Sequence, residues 1–233
     1  MLNVSKKNLI VVAVVAVALL TSAASAVVVN VDVQASGGTT YVGLAAASDA
    51  ASNTTWNAME TDSISNLTAS DGSSTTIGVT FSGVENRANV THPPSTGAND
   101  LTVDFVNVEH GPAASFTING LSANASYDIY LYTLYHQGEV DWGKTDYTIG
   151  GTTLTASALS AAPTATDGTG WTANDHYVKF TVNSDVNGDI TGTWVNHSGI
   201  RYGLITGIQI VPEPATMSLL GIGGLALLRR RRK

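Results

Sequence analysis

From residue 27 to residue 211 the chain consists of short runs rich in Val, Ile, Thr, Tyr and Phe, separated by clusters of Gly, Asn, Ser, Thr and Asp. No window in this stretch repeats its apolar residues with the 3.6-residue period of a helix. Runs of β-branched and aromatic residues bounded by turn formers are what half-buried strands need. They fall at 27–33, 75–84, 101–108, 115–119, 127–135, 146–149, 176–182, 190–195 and 203–211. About ten short strands with turn chemistry between them predict an all-β chain folded as a β-sandwich. Residues 45–74, rich in Ala, Ser, Asn and Thr around Trp56, read as a long loop with one helical turn. Between 178–182 and 190–194, Val186-Asn187-Gly188-Asp189 centres Asn-Gly in a two-residue turn, which predicts a β-hairpin.

Charge divides the chain in three. Eighteen acidic and eleven basic residues give −7 overall, but Lys6 and Lys7 lie near one end and Arg229, Arg230, Arg231, Arg232 and Lys233 form the other. Between residues 27 and 211 seventeen acidic residues face only Arg87, Lys144, Lys179 and Arg201, a formal charge of −13. A body so acidic, with no basic cluster, excludes nucleic acid and anionic membrane as partners of the folded part. The absence of cysteine excludes disulfide scaffolds, thiolate metal sites and thiol nucleophiles. About 185 residues remain between the ends, enough for one domain with a sizeable core.

Both ends read as addresses. Residues 1–26 combine Lys6 and Lys7, an unbroken apolar run over 9–20, and the small-residue ending Ala24-Ser25-Ala26. That run is short for a membrane span, and the ending suits a signal peptidase, so cleavage after Ala26 is expected. At the other end Val211-Pro212-Glu213-Pro214 precedes an apolar, Gly-containing stretch over 217–228 and then the basic cluster. Pro212 and Pro214 keep their neighbours extended, and the five cations hold the chain end on the cytoplasmic side. The three-part order resembles the PEP-CTERM sorting signal of exported bacterial proteins. The resemblance implies a short hydrophobic helix inserted transiently in the inner membrane. It further implies recognition of Pro212, Glu213 and Pro214 by an exosortase, with Arg229, Arg230, Arg231 and Arg232 completing the signal and the tail removed. An ordinary tail anchor is the alternative. The expected organisation is therefore a signal peptide at 1–26, a sandwich at 27–211 and a sorting signal at 212–233.

Within the body, Leu121-x-Ala123-x-Ala125-x-Tyr127 is similar to the tyrosine corner of fibronectin-type sandwiches, with Ala123 and Ala125 in place of proline and threonine. It implies that the Tyr127 hydroxyl bonds back to the chain at the start of a central strand. The opening Val-Asn-Val-Asp strand, the Gly120-Leu121 to Tyr127-Asp128-Ile129-Tyr130 strand and the closing run Ile205-Thr206-Gly207-Ile208-Gln209-Ile210-Val211 together resemble galactose-binding-like jelly rolls. About ten strands exceed the seven of a fibronectin sandwich, which favours the jelly roll.

Chemistry-bearing patterns are sparse. Asp185-Val186-Asn187-Gly188-Asp189 imitates the start of a calcium loop and resembles a dockerin repeat, but Ile190 stands where the turn glycine belongs and Asn196 where the bidentate acid belongs. Calcium remains an open cofactor, with no ligands assigned. The five histidines have no metal spacing, and no Gly-x-Ser-x-Gly elbow occurs. The most site-like segment is Tyr135-His136-Gln137-Gly138-Glu139-Val140-Asp141-Trp142-Gly143-Lys144. Sugar rings stack their C–H faces on Trp or Tyr while their hydroxyls bond to acids and amides, and Tyr135, His136, Gln137, Glu139, Asp141 and Trp142 supply both kinds of group. The other reading is a strand connection whose Trp142 folds back to cap the core. Trp171 is a second candidate platform with the same alternative, whereas Trp56 and Trp194 read as core.

The sequence therefore describes an exported, non-catalytic β-sandwich with signal peptidase and exosortase as processing enzymes and polysaccharide as candidate ligand. A structural or adhesive matrix component and a small glycan-active hydrolase or lyase are the alternatives. Intact mass of the exported protein is expected to correspond to a chain beginning at Val27 and lacking residues 229–233; retention of Arg229 to Lys233 in mature material would refute the processing.

Overall fold

The computed structural model describes residues 28–47, 54–89, 100–133, 142–160 and 167–213. In chain order the strands are β1 Val29–Val33, β2 Trp56–Met59, β3 Ser63–Ile64, β4 Gly78–Ser82, β5 Asn86–Asn89, β6 Asp104–Glu109 and β7 Ala114–Asn119. They continue with β8 Ser126–Tyr132, β9 Thr145–Ile149, β10 Thr152–Ala156, β11 Tyr177–Asn183, β12 Ile190–Asn196, β13 Tyr202–Ile205 and β14 Gly207–Pro212. The one helix among the described residues is a single turn, Asp100–Val103. The chain is all-β, as its residue pattern predicts.

A five-stranded sheet in the order β11-β8-β14-β1-β2 faces a six-stranded sheet in the order β10-β9-β12-β7-β4-β3, and β13-β6-β5 form a third, smaller sheet. β8 pairs antiparallel with β11 in the first sheet while β7 pairs antiparallel with β12 in the second. The ribbon β7–β8, laid beside β11–β12, thus folds over from one sheet to the other, the wrapping of a jelly roll. The closing run at 203–211 is two strands, because the chain changes sheets at Thr206 between β13 and β14.

Alternation along each strand supplies the core. Val29, Val31 and Val33 of β1, Ile129 and Leu131 of β8, and Ile208 and Ile210 of β14 meet Phe116 and Ile118 of β7 and Tyr147 and Trp194 of the facing sheet. Trp194 is fully buried and stands edge-on to Phe81, with ring centroids 5.4 Å apart. The Tyr127 hydroxyl accepts the Ser122 N–H at 2.9 Å, as the tyrosine-corner spacing implies.

Two local expectations are corrected. The turn at Asn187-Gly188 has the predicted chemistry: Gly188 adopts φ 82°, and Asp185 Oδ1 accepts the N–H groups of Asn187 and Asp189, each at 2.8 Å. It is not a hairpin, since β11 continues into the five-stranded sheet and β12 into the six-stranded one. The turn is an arch across the end of the sandwich, tied down by the Leu121 N–H on Gly188 O at 3.0 Å. A Cβ at Gly188 would stand 2.2 Å from Leu121 O, so the position requires glycine for space as well as for φ. The described part of residues 45–74 holds β2 and β3 in place of a helical turn, and β2 lies parallel to β1, with Trp56 opposite Asn30.

The five-stranded sheet is also covered on its outer face. All five residues of β1 are buried, and the side chains pointing away from the core are polar. Gln209 Nε2 donates to Asn30 Oδ1 at 2.9 Å, and Asn30 Nδ2 donates to Thr55 O at 2.9 Å. Gln209 Oε1 accepts the Ala47 N–H at 2.9 Å and the Tyr132 hydroxyl, which itself accepts the Ala46 N–H at 2.8 Å. Burial pushes the Tyr132 hydroxyl well above the usual phenol range, so it stays a neutral donor. Trp56 Nε1 completes the layer by donating to Gly43 O at 2.8 Å. Gln209→Leu removes three buried hydrogen bonds, to the Ala47 N–H, Asn30 Oδ1 and the Tyr132 hydroxyl, and is expected to cost about 3 kcal/mol, whereas Tyr132→Phe, which strands mainly the Ala46 N–H, costs about 1–2 kcal/mol. Urea unfolding with an unchanged slope checks both.

Candidate functional site

The outer face of the small sheet carries the site. On β6, Val106 and Val108 enter the core, so alternation turns Phe105, Asn107 and Glu109 the other way. Register then sets their neighbours: Ala88 opposite Phe105, Asn86 and Leu204 opposite Asn107, and Tyr202 opposite Glu109. Phe105 and Leu204 are buried, and what covers them is Trp142 together with Tyr202. Trp142 forms a parallel bridge with Tyr202, and the following Gly143 N–H bonds Tyr202 O at 3.2 Å. The hydroxyl of Thr145 donates to Gly143 O at 2.9 Å and accepts the Leu204 N–H at 2.8 Å, so the backbone next to Trp142 is held to β13 from both sides.

The result is a cleft of about 220 Å³ lined by Glu85, Asn86, Asn107, Glu109, Trp142 and Tyr202 over the Phe105 floor. Trp142 lies tilted against Tyr202, with centroids 4.4 Å apart, and edge-on to Phe105 at 6.1 Å. Both Trp142 and Tyr202 are only half-buried. Glu85 Oε2 accepts the Glu109 N–H at 2.6 Å, and Arg201 Nε donates to Glu109 Oε1 at 2.6 Å. The Arg201 guanidinium lies 4.8 Å from the Tyr202 ring centre, a cation–π position. Asn107 is the exception to this pairing: it is 3% exposed, and its Oδ1 has no hydrogen-bond partner. A buried amide oxygen with nothing to accept from costs free energy until a donor arrives.

Of the sequence-predicted sugar-binding residues, Trp142 reaches this cleft. Tyr135, His136, Gln137, Glu139 and Asp141 lie outside the described residues. Trp171 belongs to a separate cluster with Tyr41, Trp56, Leu101 and Tyr132; it stands edge-on to Tyr132 at 5.1 Å and edge-on to His176 at 5.8 Å. Sequence reasoning missed Glu85, Asn86, Asn107, Glu109, Arg201 and Tyr202. The alternation Phe-x-Asn-x-Glu over 105–109 was a usable signal, but the cleft also needs β5 as a neighbour, and pairing with β5 is not written in either run. A shallower depression of about 410 Å³ lies at the tyrosine corner beside Val29, Ile77, Leu121 and Pro212, and its lining carries no charged side chain.

The start of the C-terminal signal is part of the fold. Pro212 ends β14 opposite Tyr127, and the Glu213 N–H donates to Ser126 O at 3.0 Å. Pro214, Arg229, Arg230, Arg231 and Arg232 lie outside the described residues, as does the apolar stretch at 217–228. Among the described residues no helix is long and apolar enough to cross a membrane.

Residues 211–233 match the family model described as the PEP-CTERM protein-sorting motif. The chain thus carries the C-terminal signal of an exported, exosortase-sorted protein. No curated protein matches it in sequence. Among solved structures it is similar to protein YxiM of Bacillus subtilis, at 11% identity and TM-score 0.42 over 80% of this chain and 40% of that one. It is similar to the ANX2 ectodomain of Arabidopsis thaliana at 11% identity and TM-score 0.45, over 80% of this chain and 42% of that one. A family 35 carbohydrate binding module from Clostridium thermocellum matches at 11% identity and TM-score 0.30, over 57% of this chain and 90% of that one. The chain spans about two fifths of the length of the first two structures, and the jelly roll rests on the strand order above.

Because Glu213 is the last of the described residues bonded to the sandwich, a chain ending at Glu213 is expected to melt with the full-length protein. A chain ending at Val211 loses the Ser126 bond and the Pro212 pairing, about 1 kcal/mol, and melts about 2–4 °C lower by circular dichroism.

Proposed function

We propose that the sandwich is the displayed part of a protein that signal peptidase and an exosortase process, and that outside the cell it binds a neutral polysaccharide without cleaving it. Its destination is the cell surface or the extracellular matrix. The observation that carries the binding reading is the buried, unpartnered Asn107 Oδ1 in a cleft walled by Trp142 and Tyr202. A sugar ring offers both complements: C–H groups for the aromatic walls, and hydroxyls that donate to Asn107, Glu85 and Glu109. At about 220 Å³ the cleft is smaller than the ~300–1,000 Å³ that encloses a drug-sized ligand, which suits one ring of a longer chain. A body charge of −13 repels uronic acids and sulfated sugars, so a neutral glycan is favoured.

Glycan-array binding followed by titration calorimetry tests this. Wild type is expected to bind neutral polysaccharides and return them intact, and Trp142→Ala to weaken binding about tenfold, ~1.4 kcal/mol, with its melting temperature measured alongside. Unchanged affinity in Trp142→Ala would remove the cleft from the proposal. No binding to any glycan would favour a structural or adhesive matrix role, and shortened product chains would favour a glycan-active enzyme.

A further inference from the structure

The floor of the cleft is more selective than its walls. Along β6 the two neighbouring outward positions differ in kind, an amide at Asn107 and a ring at Phe105, and both line the cleft with Ala88, the cross-strand partner of Phe105. Leu204, fully buried, stands opposite Asn107 on the other side. Asn107 Oδ1 is thus an unpartnered acceptor in largely apolar company. Asn86, opposite Asn107 on β5, does not relieve it: its own side-chain oxygen turns to the Arg87 N–H at 2.9 Å.

Whatever fills this floor must present a donor and an apolar group on the same side. A ring hydroxyl supplies the donor, but its oxygen brings two lone pairs, for which Phe105, Ala88 and Leu204 hold nothing. An acetamido group supplies the donor without that cost. Its amide bond is planar and trans, so the N–H and the methyl share one edge of the group and the carbonyl lies on the other. With the N–H on Asn107 Oδ1 the methyl meets Phe105 and Ala88, and the carbonyl faces the mouth of the cleft, where water reaches it.

We infer that the sugar residue held in this cleft is an N-acetylated hexosamine, with its acetamido N–H on Asn107 Oδ1 and its methyl against Phe105 and Ala88. This rests on the reading of the cleft as a polysaccharide site and narrows its ligand to one class. The pyranose ring keeps the half-buried faces of Trp142 and Tyr202, and its hydroxyls keep the carboxylates of Glu85 and Glu109, which are more exposed than Asn107. An N-acetylated sugar is uncharged, so the acidity of the body does not oppose it. Removing the acetyl group leaves an ammonium with donors to spare and no methyl, and burying it against Phe105 forfeits its hydration.

The test titrates the full exported protein by calorimetry with sugars that differ at one ring position. These are chito-oligosaccharides, cello-oligosaccharides of equal length, de-N-acetylated chito-oligosaccharides, and the pair N-acetylgalactosamine and galactose. In the gluco or the galacto series the N-acetylated member should bind about tenfold more tightly than its hydroxyl counterpart, the discrimination that one buried methyl group supplies. In saturation-transfer NMR its acetyl methyl protons should receive the strongest signal. Asn107→Leu, which replaces an unpaired buried amide with an apolar side chain, should melt no lower than wild type and bring the two members within about twofold of each other. If that variant fails to fold, the wild-type comparisons decide alone. Equal affinity for acetamido and hydroxyl sugars, or affinity only for glycans without acetamido groups, overturns the inference and leaves the polysaccharide reading standing. Tighter binding of the free amine overturns it in favour of an ammonium among aromatic rings. A preference that survives Asn107→Leu, or an acetyl methyl without saturation, overturns the placement on the cleft floor. No affinity for any glycan removes the polysaccharide reading itself.

Discussion

Much of this molecule follows from one pairing, β1 with β14, at the middle of a sheet that is buried on both faces. Strand alternation commits Val29, Val31 and Val33 to the core and therefore commits Asn30, Asp32 and Gln34 to the other side. Left in contact with water those polar residues would be unremarkable. Here loop residues 41–47 cover them, with Trp56 of the neighbouring strand packed into the same layer, so their polar atoms turn for partners to groups inside the protein. The bonds from Asn30, Gln209 and Tyr132 to the backbone at Thr55, Ala46 and Ala47 are how the loop is held in one position. An apolar row at 30, 32 and 34 would bury as much surface and leave the loop free to slide. The polar row specifies where it lies.

The same strand order creates the cleft. Thr206 passes the chain from β13 to β14, so the last run of the body serves two sheets: its second half closes the sandwich and its first half lends Tyr202 and Leu204 to the small sheet. Thr206 is bonded on both sides, its N–H to Tyr132 O at 3.1 Å and its carbonyl to the Val33 N–H at 3.0 Å. The walls of the cleft are therefore fixed relative to the core. Trp142, arriving from the far end of the chain segment after β8, is fixed in turn by Gly143 and Thr145. A rigid aromatic wall that is bonded to the scaffold binds a ring with little loss of conformational freedom, which is the condition for a small contact to have any affinity.

What could be read from the sequence was what is local. Runs at 115–119, 146–149 and 190–195 reappear as β7, β9 and β12 with ends shifted by at most a residue, and Trp194 lies in the core because it shares a face with Ile190. Asn187-Gly188 shows where local reading stops. The dipeptide sets the turn correctly, yet whether the strands leaving a turn pair with each other or part to different sheets depends on competitors far along the chain, here β8 and β7. β2 was invisible for a related reason: Trp56-Asn57-Ala58-Met59 has no β-branched residue and is a strand only because β1 offers it an edge. The cleft needed both kinds of knowledge. Trp142 stood out by its chemistry, but Asn107 is an ordinary asparagine until register places it, buried, beside that indole.

The junction between fold and address is the last consequence of the same order. Proline is poorly tolerated inside a sheet because it lacks the N–H that a neighbour would accept, and it is accommodated at a strand's end. Pro212 occupies that end: β1 pairs with β14 only as far as Ile210, and beyond it β8 alone continues, with Tyr127 opposite Pro212. The Glu213 N–H then donates to Ser126 O, and beside it the Asp128 carboxyl sits below the usual range. Burial raises it, but the Lys179 ammonium at 2.5 Å, the Thr181 hydroxyl and, least of these, the Glu213 side chain together lower it. The residues that open the sorting motif are thus also the residues that finish the sheet.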